Sequence, residues 1–203
     1  SMSLNLGYLL STFIFAGIFV LAVYLQIKSK VFHPFLYWFA IIASTTVGTT
    51  LADYVDRSLG IGYVGGSTIL LSLVCLSLWV WHKVEGTITP HVVHQPRTEL
   101  FYWLTITFSQ TLGTALGDWS ADTAGLGYTG GIVLFSGLIA LIFLLYKFTS
   151  VSRVLLFWAA FVLTRPLGAV VGDFLDKPIA HGGLELSRYY ASLTLLMAIA
   201  GLV

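Results

Sequence analysis

A chain of 203 residues that is 57% hydrophobic and only 9% charged, with a mean hydropathy of +0.90, keeps most of its surface away from water, because soluble domains carry about 25% charged residues. Its net charge of +1 comes with no basic patch interleaved with aromatics, which argues against nucleic acid as a partner. The one cysteine, Cys75 in an apolar run, excludes a disulfide framework and a thiolate metal site.

Seven apolar stretches follow one another, at about residues 8–28, 34–57, 67–85, 97–122, 130–149, 151–176 and 187–203. Each is near the ~20 residues that span a bilayer core. The first is too long for a signal peptide and lacks basic residues ahead of it and a small-residue cleavage site; the opening Ser-Met reads as a cloning remnant. Strict alternation is absent, and backbone in lipid must satisfy its own hydrogen bonds, so the stretches read as helices. The expected fold is all-α: a polytopic membrane bundle forming a single transmembrane domain over residues 1–203, with seven spans from repeated helix hairpins. The repeats run approximately over 4–30 (partial), 34–86, 97–149 and 151–203.

The repeat is visible in one spacing. Trp38–Gly48–Asp53, Trp103–Gly113–Asp118 and Trp158–Gly168–Asp173 place an Asp fifteen residues after a Trp and five after a Gly. A glycine-tyrosine signature follows twice, as Leu59-Gly60-Ile61-Gly62-Tyr63 and Ala124-Gly125-Leu126-Gly127-Tyr128. Leu4-Asn5-Leu6-Gly7-Tyr8 resembles the end of a further repeat, so an eighth, N-terminal helix is expected to be missing, by shortening or by natural loss. The third copy has a longer link carrying His181, Gly182 and Gly183. Links with Lys28, Lys30, Lys83, Arg97, Lys147 and Arg153 alternate with links bearing Arg57, Lys177 and Arg188. The positive-inside rule puts the first set and the C-terminus in the cytoplasm, and the Asp motifs outside. The repeated Trp residues then read as interfacial anchors. Hairpin repeats are parallel in topology, so the three Asp motifs share one depth.

Aligned on the motif Asp, residues four apart form a row on one helix face. This row reads Thr45-Thr49-Asp53, Gln110-Thr114-Asp118 and Arg165-Ala169-Asp173, polar at nearly every step. The row one residue earlier, Ser44-Gly48-Ala52, Ser109-Gly113-Gly117 and Thr164-Gly168-Gly172, is small throughout and suits close helix contact. A second acid follows each time, giving Asp53/Asp56, Asp118/Asp122 and Asp173/Asp176. An acid at a helix C-terminus opposes the macrodipole by about 0.3–1 kcal/mol, so three acid pairs imply a compensating cation or shared protons. Asp56, Asp122 and Asp176 also suit plain solvation at the membrane boundary. Arg165, beside Pro166 near mid-helix, costs at least ~2.5–3.5 kcal/mol to bury there and needs a partner, with a motif Asp of another repeat or Gln110 as candidates. Pro166 is expected to kink its helix. His91 and His94, between Pro90 and Pro96, carry a weaker hint of a metal site.

The segments Thr46-Val47-Gly48-Thr49-Thr50-Leu51-Ala52-Asp53, Leu112-Gly113-Thr114-Ala115-Leu116-Gly117-Asp118 with Leu126-Gly127-Tyr128, and Thr164-Arg165-Pro166-Leu167-Gly168-Ala169 with Gly172-Asp173 resemble a bacterial "membrane-anchored protein" family built from a repeat of unknown function. The resemblance covers most of the chain. It implies an integral protein of the bacterial inner membrane and lends no activity.

The residues suggest a small transporter or channel for cations, divalent metal or proton-coupled, in which Asp53, Asp118 and Asp173 bind the ion or carry protons. Asp56, Asp122 and Asp176 are weaker metal ligands. Thr45, Thr49, Gln110 and Thr114 would line the path and Arg165 would set its charge. No cofactor is implied beyond a divalent metal ion. The alternative is a non-transporting scaffold or sensor held by Asp–Arg pairs. An enzyme is not expected, because no nucleophile–base set is present. The partners expected are the lipid bilayer, a small cation and, across the slot left by the missing helix, a second copy of the chain.

Overall fold

The computed structural model describes residues 8–29, 33–89, 95–186 and 188–202. Leu4–Gly7, His91 and His94, and the side chain of Asp56, lie outside the described residues. The chain is all-α, with helices α1 (Tyr8–Lys28), α2 (Pro34–Asp53), α3 (Gly62–Glu85), α4 (Pro96–Asp118), α5 (Gly127–Phe148), α6 (Arg153–Asp176) and α7 (Arg188–Leu202). Local chemistry sets their ends. Pro34 opens α2 after an extended His33, where its missing N–H costs nothing. Gly86, at φ 72°, closes α3 and donates its N–H to the His82 carbonyl at 2.9 Å. Ser152 caps α6 by accepting the Leu155 N–H.

Five helices, α1, α2, α3, α5 and α6, are long and apolar enough to cross a membrane. The described part of α7 is 15 residues. α4 is long enough but falls short in hydropathy, and its burial explains why. Trp103, Thr105, Ile106, Ser109, Thr111, Leu112 and Ala115 are each no more than 2% exposed. A helix face enclosed by protein needs no lipid-facing surface and can carry hydroxyls and amides instead, while Leu100 and Leu104 keep another face of α4 exposed. α5 is the opposite case, with Val133, Leu141 and Phe143 exposed on the most apolar span of the chain.

The chain divides into two compact units, Ser1–Ala115 and Leu116–Val203. In the first, α1 packs along α2, and Thr105 on α4 donates a hydrogen bond to Ser77 on α3 at 3.1 Å. α2 and α4 touch at Gly48, where a Cβ would stand 2.9 Å from the Thr111 backbone N and 3.0 Å from Gln110 Cβ. Below that contact Trp103 is ringed by Phe19, Tyr37 and Tyr102 at centroid distances of 6.1, 5.8 and 5.4 Å. In the second unit α5 packs on α6 around Val170. A Cβ on Gly131 would meet Val170 at 3.1 Å, and one on Gly117 would meet the Ala169 methyl at 2.8 Å.

Three expectations need correction. Trp103 and Trp158 are not interfacial anchors: each is 2% exposed, because each indole fills space among aromatic neighbours. α3 and α5 begin at Gly62 and Gly127, several residues before the expected starts. Gly62, Gly65, Gly66 and Gly127, read as parts of links, are helical, and Gly66 is buried. The third small row is not a contact row within the described structure. Thr164 and Gly168 are exposed, and a Cβ on Gly168 or Gly172 would meet nothing within 4 Å.

Candidate functional site

The acid-bearing helix ends have a geometry that residue spacing did not reveal. After Asp53 the helix does not stop. It widens into a π-helical turn, Tyr54–Ser58, closed by the Leu59 N–H on the Tyr54 carbonyl at 3.0 Å. After Asp118 the same happens over Trp119–Thr123, closed by the Ala124 N–H on the Trp119 carbonyl at 2.8 Å. Such turns are rare and are frequent at functional sites. They also move Asp53 and Asp118 off the helix terminus, which removes much of the expected dipole penalty, since that field fades within the last turn.

The glycine-tyrosine signature is what lets the chain leave the π turn. Gly60 and Gly62 have φ 68° and 75°, and Gly125 and Gly127 have φ 67° and 63°. Two left-handed residues with one ordinary residue between them reverse the chain into the next helix, and only glycine adopts that region without strain. The available signal was the Gly-x-Gly spacing itself.

The third copy is built differently. α6 continues through Asp173 to Asp176, and the Lys177 N–H bonds the Asp173 carbonyl at 2.8 Å in the ordinary α pattern. The link then folds back over the helix end. The N–H groups of Leu184, Leu186 and Glu185 bond the carbonyls of Phe174, Leu175 and Lys177 at 2.7–2.8 Å. Lys177 Nζ lies 3.8 Å from Asp173 Oδ1, a counter-charge that the four-residue spacing already offered.

In the N-terminal unit the polar rows of the first two copies meet. Thr49 Oγ1 and Thr114 Oγ1 are 3.4 Å apart. The Thr49 hydroxyl donates to the Thr45 carbonyl at 3.0 Å, so Thr114 is left as the donor in the pair. Ser44, Gly48 and Ala52 are all buried, as expected of a close-packing row. Gln110 is 5% exposed. Thr45 is exposed on α2, with its hydroxyl bonded to the Ile41 carbonyl at 2.9 Å. Asp53, one turn beyond Thr49, is half-buried.

In the C-terminal unit Asp118, Asp173 and Asp176 are half-buried and Asp122 is exposed. Arg165 is half-buried, with its guanidinium carbon 4.4 Å from the Phe161 ring centroid, and Phe161 stands against Trp158 at 5.5 Å. A cation over an aromatic face is a partner that the search for a carboxylate overlooked, although Phe161 lies one turn away. α6 runs unbroken through the buried Pro166. Among the described residues, no three His, Cys, Asp or Glu gather as a metal-holding group.

Comparison with known proteins agrees with the repeat and adds no activity. A family model described as Repeat of Unknown Function (DUF347) matches residues 36–87, 101–152 and 156–203. No curated protein matches the chain, and no solved structure does. The three matched segments coincide with the Trp-to-Asp helices and their return helices, so the chain belongs to the family built from this DUF347 repeat.

Proposed function

We propose that this chain is an integral protein of a bacterial inner membrane whose seven helices all cross the bilayer and which moves small cations, with protons shared by its carboxylates. The observation that carries this reading is the Thr49–Thr114 contact. It joins two polar rows at half-buried hydroxyls, and each row runs on its own helix to a half-buried carboxylate at a π turn. Asp53 and Asp118 are the principal carriers; Thr49, Thr114 and Gln110 line the approach, with Thr45 at its margin. Asp173 has Lys177 beside it, so its part is secondary, and Arg165 sets the charge of the third copy. Among the described residues no three His, Cys, Asp or Glu gather as a metal-holding group, which favours single carboxylates carrying a proton or one hydrated ion over a three-carboxylate metal centre. Asp56, Asp122 and Asp176 contribute charge at the outer mouth. The basic links face the cytoplasm, as does the C-terminus. The exposed Thr164–Gly168 edge of α6 favours a contact with a second copy there.

The test is ion and proton flux in liposomes holding the full chain, compared with Asp118→Asn. Flux lost or reduced at least tenfold supports the reading; flux equal to the wild type refutes the role of Asp118. The scaffold reading draws on the Arg165–Phe161 and Asp173–Lys177 pairs. It expects no flux from the wild type, a lower Tm for Arg165→Leu, and no ion that shifts the Tm.

A further inference from the structure

The interior of the N-terminal unit contains polar atoms that the protein does not satisfy. Gln110 Nε2 and the hydroxyls of Ser11, Ser67 and Ser109 are buried without a hydrogen-bond partner among the described residues. Ser11 and Ser109 are 0% exposed and Gln110 is 5% exposed. A buried amide left without a partner costs about 1–3 kcal/mol, and hydrocarbon offers nothing in exchange.

Helix rise places three of these groups at one depth. Phe19 on α1 and Trp103 on α4 are in ring contact at 6.1 Å, which sets a common level. α1 returns to α2 through a short link and so runs opposite to α2, whereas α2 and α4 run together, with Tyr37 bonded to Tyr102 at 2.8 Å and Gly48 against Gln110. From that level Ser11 lies eight residues away along α1, about 12 Å, and Ser109 and Gln110 lie six and seven residues away along α4, about 9–10 Å. Both displacements run toward the acid-bearing end.

The chemistry of the set selects its ligand. The unsatisfied atom of Gln110 is its amide nitrogen, which donates, and the serine hydroxyls both donate and accept. The nearby hydroxyl of Thr111 is already committed as a donor to the Thr107 carbonyl at 2.9 Å, so its oxygen remains an acceptor. A ligand that meets donors and acceptors together must do both itself. We infer that ordered water occupies this level of the N-terminal unit, bonded to Gln110, Ser109 and Ser11, so that the polar row of α4 is hydrated deep in the apolar layer. This goes beyond the cation reading and does not depend on it: a scaffold can hold the water equally well.

The test uses the full chain in detergent and has two arms. Gln110→Leu and Ser109→Ala remove the polar groups at similar or smaller volume. At a hydrated site each breaks bonds to water and lowers the Tm, by about 2–4 °C for a chain of this size. At a dry site each removes an orphaned group and leaves the Tm unchanged or higher. Should Gln110→Leu fail to fold, Ser109→Ala carries this arm. The second arm is X-ray radiolysis, which makes hydroxyl radicals from bound water in place, read by mass spectrometry as methionine oxidation. The Gln110→Met variant is compared with Ile106→Met, a position that is 0% exposed and apolar. Oxidation at 110 at least several-fold faster than at 106 is expected. Equal rates, or a Tm that does not fall in the polar-to-apolar variants, overturn the hydration. Flux is read in neither arm, so this result and that of Asp118→Asn remain separate.

Discussion

Gly48→Ala measures how tightly α2 and α4 are joined beneath the polar rows. The new methyl would stand 2.9 Å from the Thr111 backbone N, 3.0 Å from Gln110 Cβ and 3.1 Å from the Gln110 carbonyl carbon. Ordinary contact begins near 3.4 Å, and two of the three atoms belong to the backbone of a buried helix that cannot swing aside. The helices must separate by roughly half an ångström, an overpacking cost of about 1–3 kcal/mol. Against this, Gly to Ala in a helix gains about 0.8–1 kcal/mol. The net expectation is a loss of up to about 2 kcal/mol, seen as a fall in Tm of up to roughly 8 °C. Thermal unfolding in detergent, followed by tryptophan fluorescence, reads it. Gly17→Ala on α1 is the control, since a Cβ there would meet nothing within 4 Å and only the helix-propensity gain applies. A Gly48→Ala protein that melts at or above the wild type, or no lower than Gly17→Ala, refutes the argument that the small row sets this crossing.

Two further outcomes follow from the same geometry. Gly125→Ala forces a methyl into a residue at φ 67° and should cost about 1–2 kcal/mol, although open space surrounds the site; a Tm equal to wild type would remove the left-handed turn as the reason for the Gly-x-Gly signature. Trp103→Ala empties a site that is 2% exposed and should cost about 3–5 kcal/mol, while Trp79→Ala, at 58% exposed, should cost far less. Equal losses in thermal unfolding would restore the interfacial reading of Trp103.

The parts legible in the sequence were those that depend on period and side-chain size. Ser44, Gly48 and Ala52 stand one face apart from Thr45, Thr49 and Asp53, and the structure buries the first set, with Gly48 against α4. Five of the seven expected spans were legible because lipid demands length and apolarity. The π turns were not, because an i→i+5 bond leaves no spacing signature of its own; it follows from backbone geometry that the two glycines permit further along. Trp103 and Trp158 were misplaced because a rule about average depth says nothing about which face of a helix is enclosed. α4 illustrates the same limit. Its hydroxyls and Gln110 lower its hydropathy, yet these polar residues are what mark its buried face.

The differences among the copies restrict what the repeat can be for. If the motif Asp served only to shape a helix end, the third copy should keep the π turn and the paired glycines that accompany it in the first two. It keeps the Asp and loses both. Lys177 stands beside that Asp, the link folds back onto the freed carbonyls, and Arg165 replaces the Thr45 and Gln110 of the other rows. The acid is therefore separable from the turn. Two copies present a half-buried carboxylate at a widened turn, and the third holds its carboxylate beside Lys177 at an ordinary α-helical end. The acid's recurrence in both settings supports a role for it beyond shaping the turn, and Asp118→Asn is the substitution that tests this.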